Sequence, residues 1–192
     1  MNLQQINIKI LTTKESQINY QNFIKVFNRW IAEEDQDDYL NYADYSFTHG
    51  GPGVLLISKR ANYSIDHTDL HHGFLYNRKH PVEGNTREKV RQAFIDALTI
   101  GLRLQLADEL ENAVRFDGSH ILFIINNRHV AMNTDETFQA IQPDLQPILA
   151  SMYGSGDFTL ERVYQDPRKR FAIRITADSD GDLSNLLDNL SA

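Results

Sequence analysis

Four of the seven histidines lie within one fourteen-residue stretch in the first half of the chain. They are His67, His71, His72 and His80. Neutral imidazole, together with the nearby carboxylates of Asp66 and Asp69, suits zinc, iron or copper. His67 and His71 would share a face only in a helix, and the segment has no helical periodicity. Two alternatives stay open: a metal site at His67, His71 and His72, as in a metal-dependent enzyme, or a solvated histidine cluster in a loop.

Basic residues concentrate at the expected turns between strands. Eight of the nineteen lie at Lys59, Arg60, Arg78, Lys79, Arg128 and in the run 168–170. If these turns project from one end of the sheet, their guanidinium groups could hold phosphate or carboxylate. If they do not, the charges only keep the turns solvated and the sheet edges unpaired. The topology of the sheet decides between these alternatives.

A glycine-rich turn, 48–53, precedes a strongly apolar strand and allows close approach of the backbone to a ligand. We therefore expect a pocket near Gly50–Gly53, the His67–His72 loop and Tyr76. The residues expected to bind a ligand are Gly51, Gly53, Lys59, Arg60, Tyr76, Arg78, Arg168 and Arg170.

The run His49-Gly50-Gly51-Pro52-Gly53 resembles the oxyanion-hole loop of proline iminopeptidases in the α/β-hydrolase family. That fold needs a nucleophile within Gly-x-Ser-x-Gly, which this sequence does not contain. The hydrolase interpretation is therefore rejected. The segments 43–57 and 73–78 resemble a family of uncharacterised soluble bacterial proteins, and this resemblance implies no activity.

Composition limits the class of protein. The net charge of −7 disfavours binding to nucleic acid or anionic lipid. Because the chain has no cysteine, disulfides, thiolate nucleophiles and cysteine-ligated metals are excluded. No run of about 18 apolar residues is present. We expect a soluble, cytoplasmic protein without a nucleic-acid or membrane partner.

Periodicity predicts one α+β domain over residues 1–192, with a mainly antiparallel sheet built from hairpins and covered by about three helices. The strands Val54–Ile57 and Ile121–Ile125 should lie inside the sheet, because both are continuously apolar. Helices are predicted over 16–34 and 86–112, the second with a capping box at Asn85 and Glu88. Trp30 is expected in the core.

Other segments give further expectations. Tyr39–Tyr45 suggests a short helical turn, and 33–38 an acidic solvated connection. After a capping box at Asn133 and Glu136, Pro143 should divide the third helix, which would end at Gly154–Gly156. Residues 158–164 and 171–175 form a third hairpin.

The segments 53–66 and 120–135 are similar, which fits either an internal duplication or two strands of similar exposure. In the acidic, amphipathic tail 178–192, the run 178–182 resembles the start of a calcium loop but has Leu183 where glycine is required. Its leucines lie on one helical face, but so short a segment is not stable as a helix by propensity alone. We expect it to be frayed, or docked on the chain itself or on a partner, and a homodimer formed around it is compatible with the sequence.

Taken together, these patterns favour a non-enzymatic binding or interaction module, with a small anionic ligand as one option. The alternative is a metal-dependent enzyme that uses the His67–His72 loop.

Overall fold

The computed structural model describes residues 3–33, 39–154 and 157–192. In these ranges, eight strands form one antiparallel sheet and four helices cover one of its faces, which confirms the α+β class. The strands are β1 (Ile6–Thr12), β2 (Tyr39–Tyr45), β3 (Gly53–Ser58), β4 (Ala61–Asp66), β5 (Gly73–Arg78), β6 (Phe116–Ile125), β7 (Phe158–Arg162) and β8 (Phe171–Ala177). The helices are α1 (Tyr20–Ala32), α2 (Thr86–Gln105), α3 (Asp135–Tyr153) and α4 (Leu183–Ser191). Of the expected acidic connection at 33–38, all but Glu33 lies outside the described residues, as do Ser155 and Gly156.

The strand order is β2-β3-β4-β5-β1-β6-β8-β7. The two strands predicted inside the sheet, now β3 and β6, each have a partner on both sides. The strands β2, β3, β4 and β5 each pair with the next one along the chain, and β7 pairs with β8. These are hairpin connections, as expected for strands separated by short segments. Because α1 carries the chain away from β1, the first strand inserts between β5 and β6 and lies in the middle of the sheet.

The main core lies between the helices and one face of the sheet, which we call the helix face. In β1, the alternating Ile6, Ile8 and Ile10 point to this core. Trp30 of α1 is 4% exposed and stacks on Tyr39 at 5.8 Å between ring centroids. Its prediction as a core residue is confirmed.

The capping box of α2 is confirmed, since Asn85 and Glu88 bond reciprocally to each other's backbone. Helix α2 ends at Gln105, and a 3₁₀ turn at Asp108–Leu110 follows it within the range predicted as helix. Helix α1 is capped by the side chain of Asn19, which accepts a hydrogen bond from the backbone N–H of Gln21.

Two predicted elements are wrong. Tyr39–Tyr45 is the edge strand β2, because tyrosines suit a half-buried pleated surface as well as a helical turn. Helix α3 is continuous through Pro143 and Pro147 and begins after Thr134, which caps it in place of Asn133. Both prolines are exposed, and the carbonyl of Pro143, which the missing N–H of Pro147 leaves free, accepts a hydrogen bond from Arg87 at 3.0 Å.

The C-terminal helix α4 docks on its own chain. Leu183, Leu186 and Leu190 are buried in the main core, and α4 packs against α2 and α3. Residues 130–132 lie in a turn before α3. The segments 53–66 and 120–135 therefore have different structures: a hairpin in the first, and a strand, turn and helix start in the second.

The opposite face of the sheet, called the open face, carries none of the four described helices. It contains buried polar side chains, including Asn7 and Lys9 of β1, and a small apolar cluster of Leu75, Ile124 and Ala172. The segments 67–72 and 163–170 lie beside this cluster and line two cavities on the open face.

Candidate functional site

Strand registers place the basic turns at one end of the sheet. Ala61 is opposite Arg78, Asn7 is opposite Asn77, and Ile6 and Phe171 are both opposite Ile125. The turns at 59–60, 78–80, 126–128 and 166–170 therefore project from the same end, which we call the basic end. The sequence left this arrangement open because it depends on β1 inserting between distant hairpins.

The basic residues at this end divide between the two faces of the sheet. On the helix face, Arg60, Tyr76 and Arg78 line a cavity of about 450 Å³. Arg78 bonds Asp96 at 3.0 Å, and the Tyr76 hydroxyl donates to the same carboxylate at 2.9 Å. Burial raises the pKa of Tyr76 strongly, and the charge of Asp96 adds to this. The charge of Arg78 is thus already compensated by Asp96.

On the open face, a second cavity of about 370 Å³ lies between the turn at 126–128 and the turn at 166–170. We call it the basic notch. Its lining comprises Thr68, Asp69, Asn126, Arg128, Tyr164, Arg168, Lys169 and Arg170. Four cationic side chains from two turns therefore meet at one concave site.

The partners of these cations decide how much charge is available. Arg168 is paired with Asp166 at 2.9 Å, whereas Arg128 donates to the carbonyl oxygen of Arg168 at 2.9 Å. Lys169 lies 6.0 Å from the centre of the Tyr164 ring. Among residues 3–33, 39–154 and 157–192, no carboxylate forms an ion pair with Arg128, Lys169 or Arg170. The basic notch therefore carries positive charge that the described protein does not neutralise.

Tyr164 and Asp69 form the border of the basic notch. The Tyr164 hydroxyl donates a short hydrogen bond to Oδ2 of Asp69. The pKa of Tyr164 is raised by burial first and then by this bond and the charge of Asp69. Asp69 and Leu70 both have positive φ, at 60° and 61°, so this part of the loop adopts a backbone that side chains rarely allow. The contact with Tyr164 helps hold it there.

A buried ion pair lies on the same face. Lys9 is 2% exposed and donates to Asp66 at 2.5 Å and to the carbonyl oxygen of Thr68 at 3.1 Å. Burial lowers the pKa of Lys9 despite the attraction of Asp66, and the charge of Arg170 lowers it further. Lys9 thus ties the loop that carries Thr68 to the centre of the sheet.

The histidine loop leaves the opposite end of the sheet and folds back along the open face, so that Thr68 and Asp69 reach the basic notch. The rings of His67 and His72 stack at 3.9 Å with planes 3° apart, and Nε2 of His72 lies 3.1 Å from the Tyr20 hydroxyl. Burial lowers the pKa of His72, and the neighbouring His67 and Lys9 add to this effect. Within the described part of the chain, no group of three or more His, Asp or Glu side chains is arranged to hold a metal ion. The metal-dependent enzyme stays a prediction without geometric support among these residues.

Gly51 and Gly53 lie near this histidine loop, far from Tyr76 along the sheet. Gly53 has φ of 60°, and a Cβ there would come within 2.2 Å of the Ile65 carbonyl oxygen and 2.6 Å of the Tyr20 ring. Close packing therefore accounts for this glycine without a ligand. The expected single pocket of Gly50–Gly53, His67–His72 and Tyr76 is not formed, because Tyr76 points to the helix face at the basic end.

Ser119, His120 and Asp117 also cluster, but their geometry differs from a catalytic triad. Nδ1 of His120 lies 2.9 Å from both Ser119 Oγ and Asp117 Oδ2, and Ser119 donates directly to Asp117 at 2.5 Å. A triad uses the two ring nitrogens for different partners, so this cluster cannot activate the serine in that way.

Sequence reasoning found Arg128, Arg168 and Arg170 but missed other parts of the basic notch. Tyr164 and Asp69 are 95 positions apart, and no local pattern signals their contact. Lys9 alternates with isoleucines in a strand, which predicts a solvated lysine and not a buried one.

No protein-family model, curated protein or solved structure matches this chain. The resemblance to uncharacterised bacterial proteins therefore stays a prediction. Over the described residues, no helix is long and apolar enough to cross a membrane.

Proposed function

We propose that this protein is a non-enzymatic binding module that takes a small anionic ligand, with a phosphate or carboxylate group, in the basic notch. The observation that carries the proposal is the convergence of Arg128, Lys169 and Arg170 on one cavity without a carboxylate partner in the described residues. These like charges repel one another across the cavity, and an anion bound among them would offset that repulsion.

The chemistry of the lining suits an oxyanion. Arginine presents several N–H donors in a planar fork, which matches two oxygens of a phosphate or carboxylate. The side chain of Asn126, which also lines the cavity, supplies a neutral donor. Asp69 opposes binding through its charge, although its Oδ2 is occupied by the Tyr164 hydroxyl.

The basic notch is a better anion site than the helix-face cavity because fewer of its cations are already paired with a carboxylate. In the latter, Arg78 and Tyr76 already share Asp96, so an anion would have to displace a carboxylate. In the basic notch, Arg168 is paired with Asp166, and within residues 3–33, 39–154 and 157–192 no carboxylate forms an ion pair with Arg128 or Arg170. An anion there gains new charge-assisted hydrogen bonds without breaking an ion pair of Arg128 or Arg170.

Calorimetric titration with inorganic phosphate tests the proposal. We expect saturable binding by the wild type, and a loss of at least about tenfold in affinity for Arg170→Gln and for Arg128→Gln, since each removes a charge-assisted bond. Arg115→Gln is the control, because Arg115 is exposed at the opposite end of the sheet. Equal binding by all four proteins, or none by the wild type, would overturn the proposal.

The other expectations stay predictions. These are a soluble, cytoplasmic protein of bacterial type, without a nucleic-acid or membrane partner, and a homodimer. A homodimer would have to use a surface other than the leucine face of α4, because Leu183, Leu186 and Leu190 are buried within the chain. Elemental analysis of protein purified without a nickel column tests the metal-dependent alternative, and stoichiometric metal that is lost on replacing His71 and His72 would support it.

A further inference from the structure

A larger cavity, of about 740 Å³, adjoins the basic notch on the open face. We call it the side groove. The two cavities share Thr68, Asp69 and Tyr164 in their linings. Tyr164 and Asp69, which are hydrogen-bonded to each other, thus lie between the two cavities, and a ligand that reaches into both passes over this contact.

The side groove differs chemically from the basic notch. Its apolar lining comes from Leu11, Leu122 and Val163, all of which are only partly buried. Leu122 and Val163 pack on the small cluster of Leu75, Ile124 and Ala172. This packing holds the two half-exposed side chains in place. Aliphatic surface here thus stays in contact with solvent directly beside a concentration of positive charge.

Charged side chains lie within the side groove as well. Arg174 of β8 is directly opposite Leu122 on β6 and Glu161 on β7, and both Arg174 and Glu161 line the groove. Leu11 lies farther from the basic end, two residues beyond Lys9, which is the residue of β1 opposite Leu122. Two residues of extended strand span roughly 7 Å. The apolar lining is therefore short and ends at Leu11.

We propose that the ligand is an amphipathic anion whose charged head occupies the basic notch and whose short apolar body lies on Leu11, Leu122 and Val163 in the side groove. This inference rests on the proposed function and names the chemical class of its ligand. A compact inorganic anion would leave the aliphatic side chains in water, whereas an alkyl or aromatic body would cover them. The positive charge beside the apolar surface fixes the orientation of such a ligand.

A series of alkyl phosphates tests this class: inorganic, ethyl, butyl, hexyl and octyl phosphate, each titrated by calorimetry below its micelle concentration. A fully buried methylene is expected to tighten binding about fourfold, and one covered on a single side about twofold. We expect about a twofold gain per methylene, which levels off when the chain has covered Leu11.

Two variants locate the apolar body. Val163→Thr keeps the shape of the side chain and Leu122→Thr suits a strand, and each is expected to reduce the gain with chain length while leaving phosphate affinity unchanged. Leu55→Thr is the matched control, since Leu55 is a partly buried leucine of β3 that does not line the side groove. Arg170→Gln is expected to weaken every member of the series.

The outcomes separate the two proposals. Absence of binding by phosphate and all its esters would overturn the proposed function itself. Phosphate binding with no gain from a longer chain would leave the proposed function standing and overturn the amphipathic ligand. A gain that is the same in Leu122→Thr, Val163→Thr and Leu55→Thr would overturn it as well, because the apolar body would then lie elsewhere.

Discussion

At the scale of single residues, Asp69 is the group that limits anion binding in the basic notch. Its carboxylate accepts the hydrogen bond from Tyr164 and faces the same cavity as Arg128, Lys169 and Arg170. The same side chain therefore orders the loop and repels the proposed ligand. These two roles can be separated, because an amide keeps the acceptor oxygen and removes the charge.

Replacing Asp69 by Asn is expected to tighten phosphate binding about three- to tenfold, which corresponds to the loss of one repulsive charge at a distance of several ångströms in a partly solvated site. Calorimetric titration at low ionic strength measures the change, and added salt should reduce it. Unchanged or weaker binding by Asp69→Asn, in a protein that melts like the wild type, would mean that the anion does not lie near Asp69.

His72 gives a pH dependence with a defined sign. Burial, the neighbouring His67 and Lys9 lower its pKa below 6.5, so the unfolded chain takes up a proton more readily than the folded one. The contribution of His72 to stability is present above 6.5 and is lost as the pH falls through the lowered pKa.

The free energy of unfolding of the wild type should therefore fall on acidification below 6.5, and it should fall less in His72→Gln, whose side chain still reaches Tyr20. His67→Gln should reduce the fall by a smaller amount, because burial, the larger cause, remains. Urea denaturation at a series of pH values measures these slopes. A slope in His72→Gln equal to that of the wild type would contradict the assignment.

At the scale of elements, α3 tolerates two prolines in its interior because both are exposed and one freed carbonyl has a new partner. Pro143 and Pro147 each remove an N–H from the helix, and Arg87 bonds the carbonyl of Pro143. The bond replaces only part of what a regular helix would supply, since an internal proline costs about 3 kcal/mol relative to alanine.

Pro147→Ala is accordingly expected to raise the free energy of unfolding by about 1–2 kcal/mol, after allowance for the greater freedom of the unfolded chain. Pro167→Ala is the control with the opposite sign, because Pro167 lies second in the turn that Lys169 closes onto Asp166 at 3.0 Å. Chemical denaturation compares the two variants. Destabilisation by Pro147→Ala would contradict this expectation, because the proline ring would then contribute more to stability than its missing N–H costs the helix.

Elements in which apolar residues recur at a clear helical or strand spacing were predictable from the sequence. Elements in which this spacing is ambiguous were not. The isoleucines of β1 and the capping box of α2 indicated their structures directly. Tyr39–Tyr45 has three tyrosines at a spacing that fits a helical turn, and only its pairing with β3 decides for a strand. The prolines of α3 predicted a break because the sequence does not reveal that Arg87 lies within reach.

The site was less predictable than the fold. The basic turns were visible as residues, but their convergence depends on β1 pairing with both β5 and β6, which are 38 positions apart at Arg78 and Phe116. From the sequence alone, Arg78 and Arg170 were equally good candidates for binding an anion. Their difference is that Arg78 has Asp96 beside it, which is a contact made by the helix α2.

At the scale of the whole molecule, α4 completes the main core. Its leucines pack among α2, α3 and β6, and Leu186 touches the backbone near Gly118. Because the helix is short, it depends on this packing and not on its own propensity. The tail is thus part of the folded body that supports the sheet.

Leu186→Ala is expected to lower the free energy of unfolding by about 2–4 kcal/mol, in the range for a buried leucine that leaves a cavity. Ser184→Ala, at an exposed position of the same helix, should change it by less than about 0.5 kcal/mol. Urea denaturation, with the mass checked by light scattering, measures both. A loss below about 1 kcal/mol for Leu186→Ala would contradict the docking of α4.

The central claim is that an anion occupies the basic notch on the open face, and nuclear magnetic resonance of the arginine side chains tests it most directly. Inorganic phosphate is titrated into labelled protein while the Nε–H signals are followed. The account predicts saturable shifts for Arg128 and Arg170, with small shifts for Arg78 in the helix-face cavity and for Arg115 at the other end. Larger shifts at Arg78 than at Arg170, or shifts that never saturate, would contradict it.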